Sequence, residues 1–109
     1  MTRIHAEYFS HTGRLWCWTG ASGNGSWHFI TIDGAAGEAL SGTALMRKLE
    51  GHARGFGSLK VKVGIGETSF ATSVFPGKNG GGWLLPVKAA VRRAEDLAEG
   101  DSVEVSLEV

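Results

Sequence analysis

Two runs of strict alternation constrain what this chain can fold into. Leu59, Val61, Val63 and Ile65 alternate with Ser58, Lys60, Lys62 and Gly64, while Val103, Val105, Leu107 and Val109 alternate with Ser102, Glu104, Ser106 and Glu108. A period of two marks a strand with one buried and one wet face. Gly66-Glu67 follows the first run, and glycine at the first central position suits a type II′ turn, so Thr68 to Phe75 should return as a hairpin partner. On that return strand Phe70, Thr72 and Val74 share one side and Ala71, Ser73 and Phe75 the other. Neither side is plainly polar, which suits a closed or folded-over sheet better than an open one.

Punctuation divides the rest. Gly77-Lys78-Asn79-Gly80-Gly81-Gly82 is a loop by its glycine content. Trp83-Leu84-Leu85 reads as a short strand, and Pro86 is expected in the first turn of a helix, where a missing amide hydrogen is tolerated. Val87, Ala90, Val91 and Ala94 recur at helical spacing, with Arg92 and Asp96 placed as an i, i+4 pair and Gly100 as terminator. Before the hairpin, Ile4, Ala6 and Tyr8 predict a first strand, His11-Thr12-Gly13 a turn, and Arg14 to Trp18 a second strand with Trp16 and Trp18 on one face. Gly20 to Ser26 is a loop, and Trp27 to Ile32 a third strand. Asp33 is placed to cap a helix from about Ala35 to Leu49, with Leu40, Ala44, Leu45 and Leu49 as its apolar contacts and a bend expected at Gly42.

The 109 residues suffice for one domain, residues 1–109, with a core that needs no staples. Eleven basic and eleven acidic residues cancel, so there is no global attraction to nucleic acid or anionic membrane, although a local patch is compatible with that balance. Cys17 is the single cysteine and cannot form an internal disulfide. The first residues lack an apolar signal core, and no window reaches the roughly 20 apolar residues of a membrane span. The expected location is the cytoplasm.

The residues that carry chemistry form no catalytic constellation. Gly77-Lys78 is followed by Asn79 and preceded at the required position by Thr72, so there is no phosphate loop, and Gly64-x-Gly66 opens a hairpin rather than a helix. Cys17, His5, His11, His28 and His52 match no zinc spacing, and neither metal nor cofactor is expected. Cys17 between Trp16 and Trp18 reads as a small hydrophobe rather than an activated nucleophile. Arg54 to Val61 matches the opening of an RNA-recognition octamer, but Ser58 and Val61 stand where stacking aromatics are needed. Trp16, Trp18, Trp27 and Trp83 either line a pocket or cover the core, and core or barrel-end packing is the simpler reading.

Phe70-Ala71-Thr72-Ser73-Val74-Phe75-Pro76, the glycine loop, the run from Trp83 to Arg92, and Glu99-Gly100-Asp101-Ser102-Val103-Glu104-Val105 together resemble the bacterial family called domain of unknown function 1905. Trp27-His28-Phe29-Ile30 is similar to that family's early aromatic strand. The resemblance implies a small closed β-barrel of the double-split type, related in architecture to transition-state regulators and antitoxins, with two helices across its ends. It implies no activity. Asp33-Gly34 departs from the family, which often has proline there, and Leu15 to Gly25 is longer and richer in tryptophan than expected.

The expectation is a mainly β protein with two short α-helices, a non-enzymatic binding or interaction module. A small anion or peptide would sit near the glycine loop and second helix, at Lys78, Trp83, Lys88 and Arg92. Nucleic-acid binding through Lys60, Lys62, Arg92 and Arg93 is the alternative, and an enzyme of unknown class the third. The partner is an unknown small ligand or protein, and both monomer and homodimer remain open.

Overall fold

The computed structural model describes residues 7–19, 25–51, 57–78 and 81–109. Strand β1 spans Tyr8–Thr19, β2 Ser26–Ile32, β3 Leu59–Ile65, β4 Thr68–Pro76, β5 Trp83–Pro86 and β6 Ser102–Glu108. Helix α1 spans Gly34–Leu49 between β2 and β3, and α2 spans Ala89–Ala94 between β5 and β6. The strands close into an antiparallel barrel in the order β1-β2-β5-β4-β3-β6. Closure leaves no free sheet edge, which otherwise templates pairing with other chains.

The alternating runs behave as their period demands. Val61, Val63 and Ile65 of β3 and Val103, Val105 and Leu107 of β6 are all buried, and they meet Leu15, Ile30, Ile32, Val74 and Leu85 in one core. Burying a side chain of this size stabilises by about 1.5–3 kcal/mol. The β3–β4 hairpin turns at Gly66-Glu67, where Gly66 has φ 58.

In β1 the structure corrects the sequence reading. No turn forms at His11-Thr12-Gly13; Thr12 pairs with Glu104 and Gly13 with Val103, inside one continuous strand. The strand changes partner instead, pairing with β6 from Tyr8 to Arg14 and with β2 from Leu15 to Thr19. Gly13 lies at that handover, where a side chain would come within 3.1 Å of both Ile30 and the His11 imidazole. The glycine serves close approach here, not reversal. The expected strand residues Ile4 and Ala6, with His5, lie outside the described residues, as do His52 and Arg54 to Phe56.

Pro86 is likewise a strand residue. It pairs with Phe29 at the end of β5, and α2 begins only at Ala89. Pairing between β4 and β5 covers just Phe75–Leu84 and Pro76–Trp83. Pro86 therefore falls where β4 has already parted from β5, and its absent N–H deprives no neighbour. Helix α2 is shorter than the spacing predicts, because Asp96 takes a left-handed φ of 55 just beyond its end. Ala90 and Ala94 are exposed, leaving Val91 as its buried residue. No Arg92–Asp96 ion pair forms; the Arg92 Nε–H donates to the Val87 carbonyl at 3.2 Å.

Helix α1 closes the barrel end where β2 finishes and β5 begins. Ala36, Gly37 and Leu40 are buried, and the Trp83 indole N–H donates to Ser41 Oγ at 3.0 Å. Asp33 occupies the N-cap position but makes no side-chain capping bond; its carboxylate lies 3.6 Å from His11 Nε2. Ala44 packs against the core as expected, but Leu45 and Leu49 are exposed, contrary to their expected contacts, since the helix past Ala44 extends beyond the barrel mouth. At the opposite end the Glu95 carboxylate accepts hydrogen bonds from Thr68 Oγ1 and the Glu67 N–H, tying the segment after α2 to the β3–β4 turn.

The two helical glycines make opposite predictions. A Cβ at Gly37 would lie 2.7 Å from the Ile32 carbonyl oxygen, whereas at Gly42 nothing lies within 4 Å. Gly37→Ala should lower unfolding free energy by about 1–3 kcal/mol, and Gly42→Ala should raise it by up to about 1 kcal/mol, read from urea denaturation midpoints.

Candidate functional site

The outer surface of the β1–β2–β5–β4 half is apolar where an exposed sheet face is normally polar. Inward residues Leu15, Ile30, Ile32, Val74 and Leu85 fill the core, so the alternate positions must point outward. Those positions hold Trp16, Trp18, Trp27, Phe29, Leu84 and Phe75. Cross-strand register sets them side by side: Trp18 faces Trp27, Trp16 faces Phe29, Phe29 faces Pro86, and Leu84 faces Phe75.

This floor is ordered at its centre and open at its margins. Trp16 lies 5.2 Å from Phe29, ring centre to ring centre, and its indole N–H donates to Thr31 Oγ1 at 2.9 Å. Trp27 stacks nearly parallel to Phe29 at 6.3 Å with an interplanar angle of 11°. Trp18, Trp27 and Phe75 remain 51%, 59% and 44% exposed. Together with Lys78 these side chains line an aromatic cleft of about 690 Å³.

A second cleft, about 760 Å³, adjoins the first and shares Trp27, Phe75 and Pro86 with it. It opens where β4 and β5 separate, and Thr72, Ser73 and Val87 line its walls. Lys60 of β3, Lys88 before α2 and Arg92 of α2 contribute its charge, and no acidic residue lines it. Arg92 is half-buried and held by its bond to the Val87 carbonyl. Among the described residues, no carboxylate lies within 4 Å of Lys60, Lys78, Lys88 or Arg92, the one such contact being His11 with Asp33.

The residues singled out from the sequence are therefore distributed. Lys88 and Arg92 share the cationic cleft, joined by Lys60 from the set expected to meet nucleic acid. Lys78 lines the aromatic cleft, while Trp83 is buried and lines a separate cleft beside Asp33 and Glu38 at the start of α1. Lys62 borders a fourth depression with Tyr8, Phe70 and Glu108, and Arg93 is exposed on α2. Val61, where the octamer needs a stacking aromatic, is buried in the core, and Arg54 to Phe56 lie outside the described residues. Sequence reading missed Trp18, Trp27 and Phe75 as an outward set; the signal was aromatic residues sharing one parity of strands whose other face is also apolar.

Cys17 sits opposite His28 in the β1–β2 ladder, but no hydrogen bond joins them, and its sulfur lies 4.0 Å from the Trp18 carbonyl oxygen. His28 Nδ1 is buried without a hydrogen-bond partner among the described residues. No group of three or more metal-ligating side chains clusters among those residues. No helix there is long and apolar enough to cross a membrane.

Fold and surface together define a small closed antiparallel β-barrel with an aromatic and cationic outer face. The chain belongs to the family described as domain of unknown function (DUF1905), whose pattern matches residues 11–107. No curated protein matches it.

The contrast between tryptophans can be measured. Trp27→Phe should remove much of the iodide-quenchable fluorescence, whereas Trp83→Phe should leave it nearly intact. At low ionic strength iodide should quench better than caesium, because cations without acidic partners border Trp27, and Lys88→Ala should narrow that difference.

Proposed function

We propose that this domain is a non-enzymatic binding module that takes an anionic ligand in the cleft between β4 and β5. One observation carries the reading: Lys60, Lys88 and Arg92 converge there with no acid, in a chain whose charges otherwise balance. Like charges gathered without a partner repel, and an incoming anion relieves that repulsion. Arg92 supports the reading further, because a guanidinium held through its Nε–H retains its terminal N–H groups for planar recognition of carboxylate or phosphate. The walls supply Thr72 and Ser73 hydroxyls. Helix α2 is only six residues long and contributes nothing to the proposal through its dipole.

Lys78 and Trp83, which stood with Lys88 and Arg92 in the sequence reading, do not line this cleft. Lys78 belongs to its aromatic neighbour and Trp83 to the seal beneath α1.

Tripolyphosphate is a suitable probe, being highly charged and without apolar parts. At about ten times its dissociation constant it should raise the melting temperature by roughly 5–10 °C. Lys88→Ala and Arg92→Ala should each reduce the shift, while Lys62→Ala should not. Absence of any shift at millimolar probe and low salt would remove the reading.

A further inference from the structure

The two clefts are one surface, since Trp27, Phe75 and Pro86 belong to both. Resting on the anionic-ligand reading, we infer that its ligand is single-stranded nucleic acid, with bases laid on the aromatic floor and phosphates held by Lys60, Lys88, Arg92 and Lys78. Three features of the surface point to this occupant.

The floor offers flat faces. Trp18 and Trp27 are directly paired across β1 and β2 and more than half exposed, and Phe75 lies two strands away on β4. Neighbouring strands are about 4.8 Å apart and residues rise about 3.3 Å along each, and the register sets Phe75 level with Thr31, four residues from Trp27, so the diagonal from Trp18 to Phe75 runs about 20 Å. That length accommodates two or three stacked bases, the number that an aromatic sheet face typically holds. Paired bases cannot lie on such a floor, because their faces are already stacked within the duplex.

The rim is of one sign. Four cations and no carboxylate border the combined surface. A second copy of this chain makes a poor occupant, since a two-fold interface brings the same patch against itself and would oppose cation to cation. A neutral sugar would use the rings and leave the cations idle. A phosphodiester strand satisfies both, as sequence-tolerant grooves do when they combine stacking aromatics with a basic track.

The floor and rim also have the right relation to each other. The cations lie on β3, on α2 and its entry, and beside the glycine loop, outside the aromatic strands rather than among them. A strand crossing the floor would place its backbone toward that border. This arrangement separates the stacking and electrostatic contributions, which permits a clean test.

Fluorescence anisotropy with labelled oligothymidylate or oligouridylate of about ten nucleotides, an abasic phosphodiester of equal length, a duplex and polyglutamate supplies that test. One of the two single strands should bind about tenfold or more tightly than the abasic strand. Trp27→Ala should erase that advantage, whereas Trp27→Phe should restore part of it. Lys60→Ala should lower the logarithmic salt slope by about 0.7. Equal binding of the abasic strand or of the duplex overturns the stacking inference while sparing the anionic-ligand reading. Binding of polyglutamate without oligonucleotide does the same. Failure of every probe, tripolyphosphate included, removes both.

Discussion

The barrel depends on β1 serving two partners. Its first half completes the ladder of β6 and its second half that of β2, so one strand joins the β3–β4–β6 side to the β2–β5 side and closes the ring. Every inward side chain owes its burial to that closure. Without the handover at Arg14–Leu15, β6 and β2 would be free edges, and Val105, Leu107 and Ile30 would lose the wall that covers them. Helix α1 then seals one mouth with Leu40 and Ala36, while Glu95 ties the segment after α2 to the β3–β4 turn at the other end.

The aromatic and cationic surface grows from the same geometry. A closed barrel has a single interior, so apolar residues at the second parity of β1, β2, β4 and β5 are left outside. Trp18, Trp27 and Phe75 are exposed for that reason and not through any defect in packing. The cationic cleft has an equally local cause. Pro86 ends the useful pairing of β5, β4 separates from it, and the gap fills with side chains from β3 and α2.

Much of this architecture was legible because strand period is a local property. Leu59 to Ile65 and Ser102 to Glu108 announce their faces within the sequence, as does the Gly66-Glu67 reversal. The misreadings fall where local signals have two meanings. Gly13 is equally suited to a turn and to a crowded crossing, and Pro86 to a helix start and to a strand end; the neighbouring strand decides between them. The apolar residues Leu45 and Leu49 have helical spacing, yet α1 reaches past the barrel mouth, and nothing covers its final turns among the described residues.

The candidate site was legible only in its parts. Lys60, Lys88 and Arg92 could be named as cations, and the tryptophans noted as numerous, from the amino-acid order alone. The sequence sets Lys88 with Arg92, and Lys60 with Arg92, as two separate candidate sets. That all three share one cleft was not readable, because Lys60 and Arg92 are 32 positions apart in chain numbering and meet only when the barrel closes. The chain by itself determined which faces of β3 and β6 are buried, since alternation acts over neighbouring residues. Tertiary structure alone decided which strand joins the two sides, which aromatics face water, and which cations share a cleft. Those outcomes depend on contacts between distant segments, and no local period encodes them.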